Sequence, residues 1–116
     1  VDAYEILANA IITQAANDYR KSAKFLKKHP RTKELEDRVA ARLAEKKQRR
    51  ERYKKGSLPV GKEKKSKEER LLDSIRANEQ MVEETERFFH SKWFTQLTST
   101  DGHRLFKQIK QDLEDD

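Results

Sequence analysis

The sequence predicts an all-α protein: a small helical domain with a long projecting basic helical hairpin. Three observations carry that reading. Only 3 glycines and 2 prolines punctuate 116 residues, too few for the many turns of an all-β fold. Ala, Leu, Glu, Lys, Gln and Arg are abundant instead, and these residues lose little side-chain freedom in a helix. Apolar residues recur at three- and four-residue spacing in long segments, interrupted by one clear breaker, KGSLPVGK at 55–62. Because 34% of residues are hydrophobic and 41% charged, the core must be narrow.

The first helix opens on Asp2 with Glu5 three residues later, a capping-box-like start. Tyr4, Leu7, Ala8, Ile11, Ile12, Ala15, Tyr19, Ala23 and Leu26 then form its apolar stripe. It should end near His29-Pro30, since the residue before proline is pushed out of helical geometry. Thr32 can cap the second helix, where Glu34, Glu36 and Asp37 complement the dipole. Its stripe is thin, Leu35, Val39 and Leu43, but EKKQRRERYKK at 45–55 still consists of strong helix formers.

Ser66 with Glu69 makes a better capping box, and Leu71, Leu72, Ile75, Met81, Val82, Phe88 and Phe89 carry a third helix. TSTDG at 98–102 is a turn with three candidate N-caps, and Leu105, Phe106, Ile109 and Leu113 stripe a short last helix. The expected arrangement is a single domain over 1–116. In it the first and third helices pack antiparallel, the aromatic cluster and last helix cap one end, and a basic arm at 44–70 with a flexible tip at 55–65 projects from the other.

Function is narrowed mainly by exclusion. There is no cysteine, so disulfide scaffolds and Cys-based zinc sites or nucleophiles are ruled out. The longest mainly apolar stretch, ILANAII at 6–12, is far short of the roughly 20 residues that cross a bilayer, and no signal-peptide pattern opens the chain. A soluble cytoplasmic protein without a membrane partner is expected. No nucleophile elbow, phosphate-binding glycine loop or zinc pattern occurs, so the chain reads as a non-enzyme with no catalytic residue, metal or cofactor.

The strongest functional signal is charge. Residues 46–70 hold 12 Lys or Arg against 4 Glu, a local +8 within a chain total of +6. Phosphate backbones are bound mainly through Lys and Arg. The candidate binding residues are therefore Lys46, Lys47, Arg49, Arg50, Arg52, Tyr53, Lys54, Lys55, Lys62, Lys64 and Lys65, with Tyr53 able to stack on a base or sugar. No base-reading motif accompanies them, so binding should be weakly sequence-specific. A second basic run, RKSAKFLKKHPRTK at 20–33, is explained first by cations complementing a helix C-terminus.

The segment ERFFHSKWFTQLTSTDGHRLF at 86–106 holds five of the nine aromatic residues. Phe89 and Trp93 are four apart, and Phe88, Phe89 and Val82 continue the face that carries Ile75, which marks a core plug. A stacking surface for bases is disfavoured because residues 73–116 hold 10 acids against 6 bases. His90, Asp101 and His103 could be drawn as a metal or acid-base site, but the histidines lie in separate segments and Asp101 before Gly102 reads as a cap or turn residue.

FFHSKWFTQLTSTDGHRLFKQIKQDLE at 88–114 resembles the C-terminal end of small uncharacterised helical proteins of Gram-positive bacteriophages and mobile elements, which close on an FFxSxWFxxLTxxDG pattern. AIITQAANDYRKSAKFLKK at 10–28 resembles their opening. The likeness covers about 46 residues, and the long basic middle departs from it. It implies a phage or mobile-element context inside a bacterial host cell, and no chemistry. The leading expectation is an accessory protein whose arm engages nucleic acid or a nucleoprotein. The alternative is an inhibitor of a bacterial defence system, of the anti-CRISPR type, acting by protein–protein binding. A third reading is a self-associating protein with a coiled-coil-like seam along its long helices; oligomeric state is left open.

Overall fold

The computed structural model describes residues 2–55 and 64–115, with side chains for 2–52 and 64–115. The chain is all-α, and no strand occurs among the described residues. The elements are α1 (Ala3–Lys28), α2 (Lys33–Lys55), α3 (Lys67–Phe89), α4 (Lys92–Leu97) and α5 (Gly102–Glu114). They divide into two compact units, one formed by Val1–Lys28 with Ala77–Asp116 and the other by His29–Arg76.

Helix boundaries follow the local chemistry. Asp2 Oδ1 accepts a hydrogen bond from the Tyr4 amide at 3.1 Å, so one of the orphan donors at the start of α1 is satisfied. Thr32 Oγ1 accepts from the Leu35 amide at 3.1 Å and Ser66 Oγ from the Glu69 amide at 3.2 Å, opening α2 and α3. Helix α1 stops at Lys28, just before His29-Pro30.

In the first unit, Ala16 and Tyr19 of α1 pack with Phe89 of α3, Phe94 of α4 and Phe106 and Ile109 of α5. The rings make edge contacts: Tyr19 on Phe106 at 4.9 Å and 69°, Phe88 on Phe94 at 5.6 Å and 76°. Such edge-to-face pairs each add about 0.5–1.5 kcal/mol beyond area burial. Burial also pushes the Tyr19 phenol above its ordinary pKa, and the carboxylates of Glu86 and Glu114 add to the shift, so the phenol stays neutral in this core.

Three stripe expectations need correction: on α2, Leu43 is 51% exposed, and of its thin stripe only Val39 is buried. On α1, Leu7 is 59% exposed and Tyr4 53%; the face that is buried runs through Ala8, Ala16, Tyr19 and Ser22. Leu7 sits to the side of that line, while Tyr4 lies on it at the helix start, where its hydroxyl donates to the Gln96 carbonyl oxygen at 3.0 Å. Trp93 is also 53% exposed, although Phe94 beside it is fully buried. Helix α3 ends at Phe89, and Ser91 caps α4 by accepting from the Phe94 amide at 3.2 Å. That break resets the helical phase, so the four-residue spacing from Phe89 to Trp93 does not place them on one face.

The C-terminal corner depends on a second cap and a close approach. Asp101 Oδ1 accepts from the amides of His103 at 3.0 Å and Arg104 at 3.4 Å, and α5 begins at Gly102. A Cβ on Gly102 would lie 2.0 Å from the Phe89 carbonyl oxygen and 2.9 Å from Phe94 Cδ1. Most of the FFxSxWFxxLTxxDG segment is thereby accounted for by architecture: Phe89 and Phe94 fill the core, Ser91 and Asp101 cap, and Gly102 gives α5 room to sit against the end of α3.

Candidate nucleic-acid interface

The second unit holds 17 Lys and Arg against 9 Asp and Glu, a net +8; the first holds 10 against 12, a net −2. The structural division and the charge division therefore coincide. Within the second unit the whole excess lies in 46–70, because residues 29–45 and 71–76 balance at 5 bases and 5 acids.

The unit is a helical hairpin of α2 and the start of α3, and an ion pair ties them together. Lys46 Nζ donates to Glu69 Oε2 at 2.8 Å, with 9% and 6% of the two side chains exposed. Arg42 Nε lies 3.4 Å from Glu69 Oε1, close enough for attraction but without an aligned hydrogen bond. Leu72 and Ile75, one and two turns beyond Glu69 on α3, are buried, as is Val39 on α2. On α2 only Val39 and Lys46 are buried among the described side chains. They are seven residues apart, so they lie on one line of the helix, and the rest of its circumference is open.

The predicted site residues separate accordingly. Lys46 leaves the candidate set: it is buried and its charge is already matched by Glu69. Lys47, Arg49, Arg50 and Arg52 are brought together on the exposed surface of α2. Lys47, Arg50 and Arg52 form no ion pair among the described residues, whereas Arg38 is paired with Glu34 at 2.7 Å. Lys64 and Lys65 are exposed just before α3, and Lys65 is partly neutralised by Asp73 at 2.6 Å. The side chains of Tyr53, Lys54 and Lys55, the whole of Lys62 and most of the expected tip at 55–65 lie outside the described residues.

Glu69 is the residue whose role the sequence hid. The hydrogen bond from Lys46 holds its carboxyl below the usual carboxylate range; burial opposes this, while the Lys46 charge, the Ser66 amide and Arg42 assist. Asp73 is lowered in the same way, first by its hydrogen bond from Lys65. A carboxyl with a depressed folded-state pKa contributes stability that is fully present above its unfolded value, about 4.3 for Glu, and is lost as pH falls through the folded value. Amide hydrogen exchange should therefore show even protection of α2 and the start of α3 from neutral pH down to about 5, then falling protection in more acidic buffer. In a Glu69→Gln variant that acid-induced step should largely disappear. Protection in the parent that is unchanged by acid would contradict the role given to the pair.

The aromatic corner makes a poorer site. His90 and His103, distant in sequence, stack face to face with centroids 4.1 Å apart and planes at 15°, and His90 meets the Phe106 ring edge-on at 5.6 Å. Sequence spacing gave no sign of this contact, which depends on Gly102 bringing α5 against the end of α3. The pair borders an open concavity of about 330 Å³ lined also by Glu86, Lys107 and Glu114. Parallel stacked imidazoles aim their nitrogen lone pairs side by side and not at a common point, and no group of three or more potential metal ligands occurs among the described residues. Asp101 is occupied as a cap. No described helix is long and apolar enough to cross a membrane. No family model, curated protein or solved structure matches the chain.

Proposed function

We propose that the chain is a non-enzymatic accessory protein that binds nucleic acid through the exposed basic surface of α2. The observation that carries this reading is the confinement of the net charge. One unit carries +8 and the other −2, and Lys46, the one buried lysine among the described residues of the basic unit, is matched by a buried glutamate. Lys47, Arg49, Arg50 and Arg52 are all exposed. Their cost to a small unit is mutual repulsion, which a polyanion would relieve while releasing its own counterions. The likeness to phage and mobile-element proteins fits an accessory role and adds no chemistry.

Binding of a labelled mixed-sequence nucleic acid, measured by fluorescence anisotropy across a salt series, tests this. Affinity should fall linearly on a log–log plot with a slope of about −0.9 for each phosphate contacted on duplex DNA, and sequence should matter little. A salt-independent affinity, or no binding at low salt, would overturn the reading. The second outcome would leave the inhibitor of a bacterial defence system, acting on an acidic protein surface, as the better account of the same charge.

A further inference from the structure

The partner class can be narrowed by the geometry of α2, on the assumption that the nucleic-acid reading above holds. We infer that α2 engages double-helical DNA by entering its major groove, with basic side chains on both of its flanks reaching the two phosphate walls. Measured around the helix from the buried Lys46, Lys47 and Arg50 lie about 100° and 40° to one side, and Arg49 and Arg52 about 60° and 120° to the other. All four are exposed and occupy the same short axial span. The two rows thus straddle the helix instead of forming a single basic face.

Between the rows, on the side turned away from α3, sit Gln48 and Glu51, both exposed. A helix lying along a flat anionic surface would place that outward side against phosphate, where Glu51 would be repelled. Inside a groove the outward side faces the floor, where base edges offer donors as well as acceptors and a carboxylate or amide is accommodated. The flanks then face the walls. The size also matches: an α-helix with its side chains is about 10–12 Å across, and the major groove of B-DNA is about 12 Å wide.

The openness of α2 is what permits this. Its contact with the rest of its unit runs along one line, Val39 and Lys46, so most of its circumference can be inserted. The A-form major groove of double-stranded RNA is too deep and narrow for side chains to read. Single strands are held chiefly by stacking on successive aromatic side chains, and the sequence of α2 contains a single aromatic residue, Tyr53. Duplex DNA is the remaining substrate that the two-row arrangement fits.

The experiment compares the full chain on a DNA duplex of about 20 bp, the matching single strand and the matching RNA duplex, at one ionic strength and then across salt. The DNA duplex should be bound roughly tenfold or more tightly than either competitor. Two paired variants, Lys47→Gln with Arg50→Gln and Arg49→Gln with Arg52→Gln, should each lower the salt slope by about 2 on the DNA duplex. Circular dichroism should show each variant as helical as the parent, since all four side chains are exposed. Equal or tighter binding of the single strand or RNA duplex would overturn the groove assignment while leaving nucleic-acid binding intact. So would a slope that responds to only one of the two pairs. Failure to bind any of the three at low salt would overturn both readings together.

Discussion

Alanine at position 102 is expected to destabilise the chain by about 3 kcal/mol, the upper part of the range for inserting atoms into a packed site. The direction is opposite to the usual one. Glycine to alanine at a helical position ordinarily stabilises, by roughly 0.5–1 kcal/mol, because glycine loses more conformational freedom on folding. At Gly102 the added carbon meets the Phe89 carbonyl oxygen at 2.0 Å and Phe94 Cδ1 at 2.9 Å. The first of these is backbone at the end of α3 and cannot swing aside. Relief requires α5 to move away, which would open the contacts of Phe106 with Tyr19 and Phe89 and the stack of His90 on His103. Urea denaturation of the variant should show a lower midpoint, and the ring-current shifts of the two histidines should collapse toward those of unstacked imidazoles. An unchanged or raised midpoint would mean that the corner is not as tight as described.

The second large effect is on binding. Replacing Lys47, Arg49, Arg50 and Arg52 together by glutamine should reduce DNA affinity by two to three orders of magnitude near physiological salt, and should lower the salt slope by about 4. Melting should change little, because all four side chains are exposed. Gly102→Ala should cost stability through a buried backbone contact, whereas the quadruple variant should cost affinity through exposed side chains. If the quadruple variant binds as the parent does, the charge of the hairpin is not used in this way.

The helices and their caps were legible because their signals are local. Asp2, Thr32, Ser66 and Asp101 each act where the sequence placed them. The break after Phe89 was not legible. His90 and Ser91 carry no proline or glycine, and Ser91 reveals itself as a cap only once its hydroxyl is seen to serve the Phe94 amide. Reading through that break put Trp93 in the core, where the structure leaves it half exposed. The stack of His90 on His103 was hidden for a related reason, since it is produced by tertiary approach at Gly102 and not by spacing.

The candidate interface was legible as a charge segment but not as a surface. A lysine within a run of basic residues reads as solvated, so charge alone groups Lys46 with its neighbours. The signal that could have separated it was its heptad distance from Val39, the apolar residue of the same thin stripe, combined with a glutamate at the capping position of the next helix. Lysine stems are long enough to lie along apolar surface while the ammonium finds a partner. The sorting of the remaining basic residues into two flanks becomes visible only when the buried line of α2 supplies an origin from which to measure.

If the basic hairpin binds and the aromatic corner only holds the fold, amide chemical-shift mapping on the full chain during titration with duplex DNA should show large shifts clustered at Lys47–Arg52, with His90, Trp93 and His103 nearly unmoved. Large shifts centred on the corner at 86–106, with α2 unchanged, would contradict that division.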